Sequence, residues 1–148
     1  MVQTTPFLLV LFLALGAHSL STEKCILTGI WVNDLGSNMT IKTMTANGDF
    51  TGIYLTAVSA TMKKIEASPL QGSQHLPNPG LSQPTFGFTI HWSFSDSITV
   101  FTGQCFVDDD GKEILKTMWL LRSHMDNIKN DWKATLVGYN EFKRLEEQ

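Results

Sequence analysis

The chain has 148 residues, 43% of them hydrophobic and 17% charged, which is enough for one domain with a packed core and unlike a disordered segment. Its net charge of −3 and the absence of any Lys/Arg cluster argue against a nucleic-acid partner. No segment approaches the 18 consecutive apolar residues of a membrane-spanning helix, so no membrane partner is expected.

Residues 1–21 read as a secretory signal peptide. Phe7–Leu15 is an apolar run, followed by the small residues Gly16, Ala17, Ser19 and Ser21, with cleavage expected near Ser21. Residues 22–148 then form a single secreted, extracellular domain. Cys25 and Cys105 are its two cysteines, and in an exported chain an even count reads as a disulfide. That bridge closes a loop of roughly 80 residues, worth about 4 kcal/mol on the chain-entropy account. Asn38-Met39-Thr40 is an N-glycosylation sequon on the same secretory reading.

Turn signals then recur at strand-length spacing. Asn47-Gly48 separates two alternating runs and is a strong hairpin signal. Ser95-Asp96-Ser97 and Asp108–Gly111 divide later runs in the same way. The predicted strands are 29–35, 38–46, 49–57, 63–67, 85–94, 98–107, 112–122 and 132–142, with residues 71–83 as the one long polar loop. The clearest of them is Thr85–Phe94. Phe86, Phe88, Ile90, Trp92 and Phe94 alternate with Thr85, Gly87, Thr89, His91 and Ser93, so one face is aromatic and the other small and polar. Residues 113–121 carry helix-favouring types, but their position after a tight turn fits a two-faced strand better.

Short links between consecutive strands favour antiparallel neighbours. The predicted fold is therefore all-β: an eight-stranded antiparallel up-and-down β-barrel, in which closure removes both sheet edges. A β-sandwich would need more long crossings than one loop supplies. Alternation turns Trp31, Asn33 and Leu35 to one face, as it does Tyr54 with Thr56, Thr99 with Phe101, Trp119 with Leu121, and Gly138 with Asn140. These residues suit the wall of a ligand pocket. By composition alone they suit a filled core somewhat better, since buried Tyr and Trp are common in cores. Composition leaves both open.

Signals for catalysis are weak. His75, His91 and His124 are scattered without metal-ligand spacing, and no GxSxG or HExxH motif occurs. Asp108–Asp110 with Gly111 lacks the spacing and closing Glu of an EF-hand, so a solvated turn is the better reading, and no metal is expected. No base is oriented toward a serine, so an esterase is disfavoured.

Longer segments go beyond pattern. CILTGIWVNDLGSNMTI (25–41), GDFTGIYLTAVSAT (48–61), ASPLQG (67–72), QPTFGFTIHWSFSDSITVFTGQCF (83–106), GKEILKTMWLLRS (111–123) and DWKATLVGYNEF (131–142) resemble the avidin family of secreted biotin-binding proteins over almost the whole chain after residue 21. The resemblance implies a high-affinity, non-covalent biotin site with no enzymatic activity. Biotin would be its ligand and not a cofactor, and no other cofactor is implied. Asn33, Ser37 and Tyr54 would donate to the ureido oxygen, while Thr56 and Asn140 would accept from the ureido N–H groups. Thr99 would lie near the ring sulfur. Trp92, Phe94, Phe101 and Trp119 would box the rings, with Leu35, Val58 and Leu121 completing the wall. Ser59, Ala60 and Thr61 with Ser95 and Ser97 would meet the carboxylate.

The resemblance also implies a homotetramer in which Trp132 completes a neighbouring site. Met118, Val137 and Tyr139 lie on the face opposite the lining residues and would form an interface. Such a protein would sequester the vitamin, for defence or for storage. The divergent 71–83 loop and Leu136 depart from the family's best-known pattern. A lipocalin-like carrier of another apolar ligand is the alternative, and the polar Asn33/Ser37/Tyr54 cluster speaks against it.

Overall fold

Alternation along the chain resolves into a sheet that closes on itself. The computed structural model describes residues 25–76 and 82–146. Its strands are β1 (Gly29–Asn33), β2 (Asn38–Met44), β3 (Asp49–Leu55), β4 (Ser68–Gln74), β5 (Thr85–His91), β6 (Ile98–Val107), β7 (Glu113–Arg122) and β8 (Thr135–Arg144). Each pairs antiparallel with the next, and β1 returns to β8 through Trp31↔Arg144, Val32↔Lys143 and Asn33↔Phe142. This is the expected up-and-down barrel, and every strand has a partner on both sides. The segment read as a signal peptide lies outside the described residues.

The turns follow the local chemistry. Gly48 takes φ +88°, a left-handed conformation that costs glycine little, and its N–H bonds the Thr45 carbonyl at 3.0 Å. In the β6–β7 turn the Asp108 carboxylate accepts from the N–H groups of Asp110 (3.0 Å) and Lys112 (2.8 Å). That carboxylate is committed to shaping its own turn.

One end of the barrel is plugged and the other is open. Phe86, Phe88, Ile90, Phe50, Leu115 and Phe142 fill the middle and the closed end, and Phe88 stacks on Phe101 with ring centroids 4.6 Å apart. The segment before β1 seals the bottom. Leu27 is fully buried, and its carbonyl accepts from Trp31 Nε1 at 2.8 Å. The Arg144 guanidinium lies 4.3 Å from the Trp31 ring centroid, donates to the Thr28 carbonyl (2.9 Å) and pairs with Glu113. Cys25 and Cys105 form a disulfide (Cα–Cα 6.0 Å) that ties this segment to β6.

Two strand expectations are corrected. The fourth strand is Ser68–Gln74 and not 63–67, so residues 71–74 belong to the sheet and not to the polar loop. The reason lies in the packing. At the inward position Gly72 a Cβ would collide with the backbone of Phe88, its partner on β5. The Gly87 carbonyl oxygen and the Phe88 Cα and Cβ occupy that space, so β4 has no side chain at this position to signal a strand. The eighth strand begins at Thr135 and not at 132, because Ile128–Lys133 winds into a short 3₁₀ helix. Asn127 caps it by accepting from the Lys129 N–H at 3.1 Å. Strands β1, β2, β3 and β5 also stop short of their expected ends, at Asn33, Met44, Leu55 and His91, and β8 runs on to Arg144.

Candidate functional site

Four connections meet at the open end: β1–β2, β3–β4, β5–β6 and β7–β8. They surround a cavity of about 520 Å³. Asn33, Leu35, Ser37, Tyr54, Thr56, Val58, Ser59, Ala60, Thr61, Trp92, Phe94, Ser95, Ser97, Thr99, Phe101, Trp119, Leu121 and Asn140 all line it. Trp132 does not; it sits on the 3₁₀ helix and is 82% exposed. Ser123 lines the cavity without having been expected there. It lies just past β7, where its N–H bonds the Ala134 carbonyl at 2.8 Å. That bond closes the β7–β8 loop, whose path no local sequence signal specifies.

The polar groups have fixed polarity, and bonds around the cavity set it. The Asn33 amide oxygen accepts from the N–H groups of Leu35 (3.0 Å) and Ser37 (2.9 Å). Its Nδ2 therefore faces the other way, giving one proton to the Tyr54 hydroxyl at 3.2 Å and keeping one free to donate. Tyr54 Oη accepts that bond, which leaves its own proton available. Ser37 Oγ accepts from the Ala57 N–H at 2.9 Å, so its proton is available as well. Three donors thus come together: Asn33, Ser37 and Tyr54.

Two further groups have the opposite polarity. The Thr56 hydroxyl gives its proton to the Val58 carbonyl at 2.8 Å, and its oxygen accepts from the Val58 N–H at 3.2 Å and retains a second lone pair. The Asn140 amide oxygen accepts from Trp119 Nε1 at 2.9 Å and also keeps one. Elsewhere, Thr99 Oγ1 accepts from Trp92 Nε1 at 2.8 Å, leaving the Thr99 proton free.

Burial gives these groups their strength. Asn33, Ser37, Tyr54, Thr56, Thr99 and Asn140 are all buried. Burial pushes the Tyr54 phenol up to about 12; the neighbouring Ser37 hydroxyl opposes this and the Asp34 charge adds to it. Tyr54 is therefore a neutral donor throughout the physiological range. Aromatic rings supply the apolar walls. Trp92 meets Tyr54 edge-on with centroids 5.6 Å apart, and Phe94 lies 5.7 Å from Trp92. The rim is hydroxylic: Ser95 and Ser97 bond each other, and Ser59 accepts from the Thr61 N–H at 3.2 Å.

The complement of this arrangement is a small, flat, mostly apolar molecule. It would carry one strong acceptor oxygen and two N–H donors at its inner end.

Known proteins place the chain in a family. The Avidin family profile matches residues 21–145. Avidin of Gallus gallus is 59% identical over 147 residues, covering 98% of this chain and 96% of that protein. Avidin-related protein 4/5 of the same organism is 61% identical over 148 residues, covering 98% and 97%. A solved structure described as a biotin binding protein from chicken superposes with a TM-score of 0.79 at 56% identity, covering 84% of this chain and all of that one. Matched along nearly its full length in sequence and in barrel architecture, the chain belongs to the avidin family.

Proposed function

We propose that this protein is a secreted, non-enzymatic biotin-binding protein that works as a homotetramer and sequesters the vitamin. One observation carries the reading: three buried donors and two buried acceptors share a single aromatic cavity. A ureido ring offers the matching set, with its carbonyl oxygen toward Asn33, Ser37 and Tyr54 and its two N–H groups toward Thr56 and Asn140. Trp92, Phe94, Phe101 and Trp119 would enclose the rings, and Thr99 would face the sulfur. The valerate carboxylate would reach the hydroxyl rim formed by Ser59, Thr61, Ser95 and Ser97. Any analogue that leaves one of these buried groups unpaired loses affinity. A lipid carrier would have no use for five fixed polar groups at the inner end of its pocket.

Assembly is supported by what the barrel leaves outside. Met118, Val137 and Tyr139 are 56%, 64% and 75% exposed, and together they make an apolar face on neighbouring strands. Trp132 projects from the open end and would complete a neighbouring site. Export is supported by the apolar run at Phe7–Leu15 and by the disulfide. Asn38 is exposed on the outer face of β2, where its sequon would be open to glycosylation.

Calorimetry with free biotin tests the reading. Saturable heat with one site per chain and a raised melting temperature are expected. No heat and no melting shift would overturn it. Competition by fatty acids would point to a lipid carrier instead.

A further inference from the structure

We propose that Asp34 is a positioning residue: it fixes the orientation of the Asn140 amide so that this wall of the cavity accepts a ligand N–H and rejects a ligand acceptor. The proposal rests on the biotin reading above. An asparagine amide has a donor end and an acceptor end of nearly the same shape, so its surroundings decide which end a ligand meets. Here two partners decide it, and they agree. Asn140 Nδ2 donates to Asp34 Oδ1 at 2.8 Å, and a carboxylate has no proton to give. Trp119 Nε1 donates to Asn140 Oδ1 at 2.9 Å, and an indole N–H cannot accept. Flipping the amide would break both bonds and set donor against donor.

Asp34 itself is stitched to β8 beside Asn140. Its N–H donates to the Glu141 carbonyl at 3.1 Å, and its Oδ1 also receives the Glu141 N–H at 3.3 Å. Yet Asp34 does not line the cavity. It acts from the β1–β2 turn on a residue 106 positions away in sequence. Its neighbour Asn33 is held the opposite way, with its oxygen tied up by the turn and its Nδ2 toward Tyr54. One short turn therefore sets a donor and an acceptor in the same pocket.

The test compares biotin with its two cyclic carbamate analogues, each with one ureido N–H replaced by a ring oxygen. The proteins are wild type, Asp34→Asn and Asp34→Ala. Asparagine keeps the size of the side chain but no longer dictates polarity; alanine removes the acceptor. For each variant we expect biotin to bind about tenfold more weakly. One carbamate, the one with oxygen facing Asn140, should lose clearly less affinity than biotin does, because Trp119 alone then holds the amide. Equal losses for all three ligands, or no loss for any, would overturn the proposal.

Unliganded melting temperatures identify a variant that fails to fold. If wild type does not bind biotin, the functional reading fails, and the lock is then judged without ligand. The Asn140 Nδ2 proton bonded to Asp34 should lie downfield and exchange slowly with water in the nitrogen-15 spectrum of wild type, and should move upfield and exchange faster in Asp34→Ala. An unchanged Asn140 signal in that variant would sink the idea.

Discussion

Tyr54 shows how one side chain carries both a packing role and a polar one. Its ring contacts Trp92, Phe101 and Phe142 at centroid distances of 5.6, 5.9 and 6.3 Å, while its hydroxyl sits among Asn33 and Ser37. Tyr54→Phe should keep the packing and remove the donor, weakening biotin by about tenfold to a hundredfold in calorimetry. The raised phenol has a second consequence. An unfolded chain releases this proton near pH 10, whereas the folded protein holds it to about 12. The unfolded state therefore gains relative stability across that window, and folding stability falls as pH rises from about 10 to about 12. Denaturant melts at a series of alkaline pH values should show a shallower decline in Tyr54→Phe than in wild type. Identical slopes would mean that Tyr54 ionises as freely in the folded protein as outside it.

Among the elements, the pairing of β7 with β8 sets the pocket wall most tightly. Trp119 and Gly138 are direct cross-strand partners on the inward face. A Cβ at Gly138 would fall inside the van der Waals shell of the Trp119 indole. Gly138→Ala should push the ring off its bond to Asn140 and into the cavity, with strain of about 1–3 kcal/mol. A biotin affinity reduced at least tenfold, together with a shift in tryptophan fluorescence, is the expected outcome; unchanged affinity would show that the indole has room to spare.

The same kind of filling explains what was legible in the strands. β5, with Phe86, Phe88 and Ile90 inward, announces itself by alternation. β4 has only a glycine opposite Phe88, with the β5 backbone against it at Gly72, so its sequence shows little alternation and its register shows only in three dimensions. The 3₁₀ helix at Ile128–Lys133 buries no residue at all, and no hydrophobic period could reveal it.

On the scale of the whole molecule, closure leaves the outer face of β6–β8 to be accounted for. Val100, Leu120 and Val137 lie in register across the three strands, and Met118 with Tyr139 forms the next row. All five are between 47% and 75% exposed. A charge in the second row should be hard to bury against a copy of the same face. Tyr139→Arg should therefore shift the mass measured by light scattering toward smaller species. An unchanged mass in that variant would place the contact elsewhere.

The sequence by itself determined the alternation, the hairpin turns and hence the barrel, because side-chain period and turn chemistry are local properties. Its long matched segments also carried the family, and with it the expected lining residues. Alternation alone did not separate a filled core from a cavity, since both want the same rings on the same face. Only the tertiary structure decided that the closed end is packed while about 520 Å³ stays open above Phe101 and Tyr54. It also decided the polarity of the site. Whether an asparagine donates or accepts depends on partners brought from far along the chain, as Asp34 and Trp119 are to Asn140.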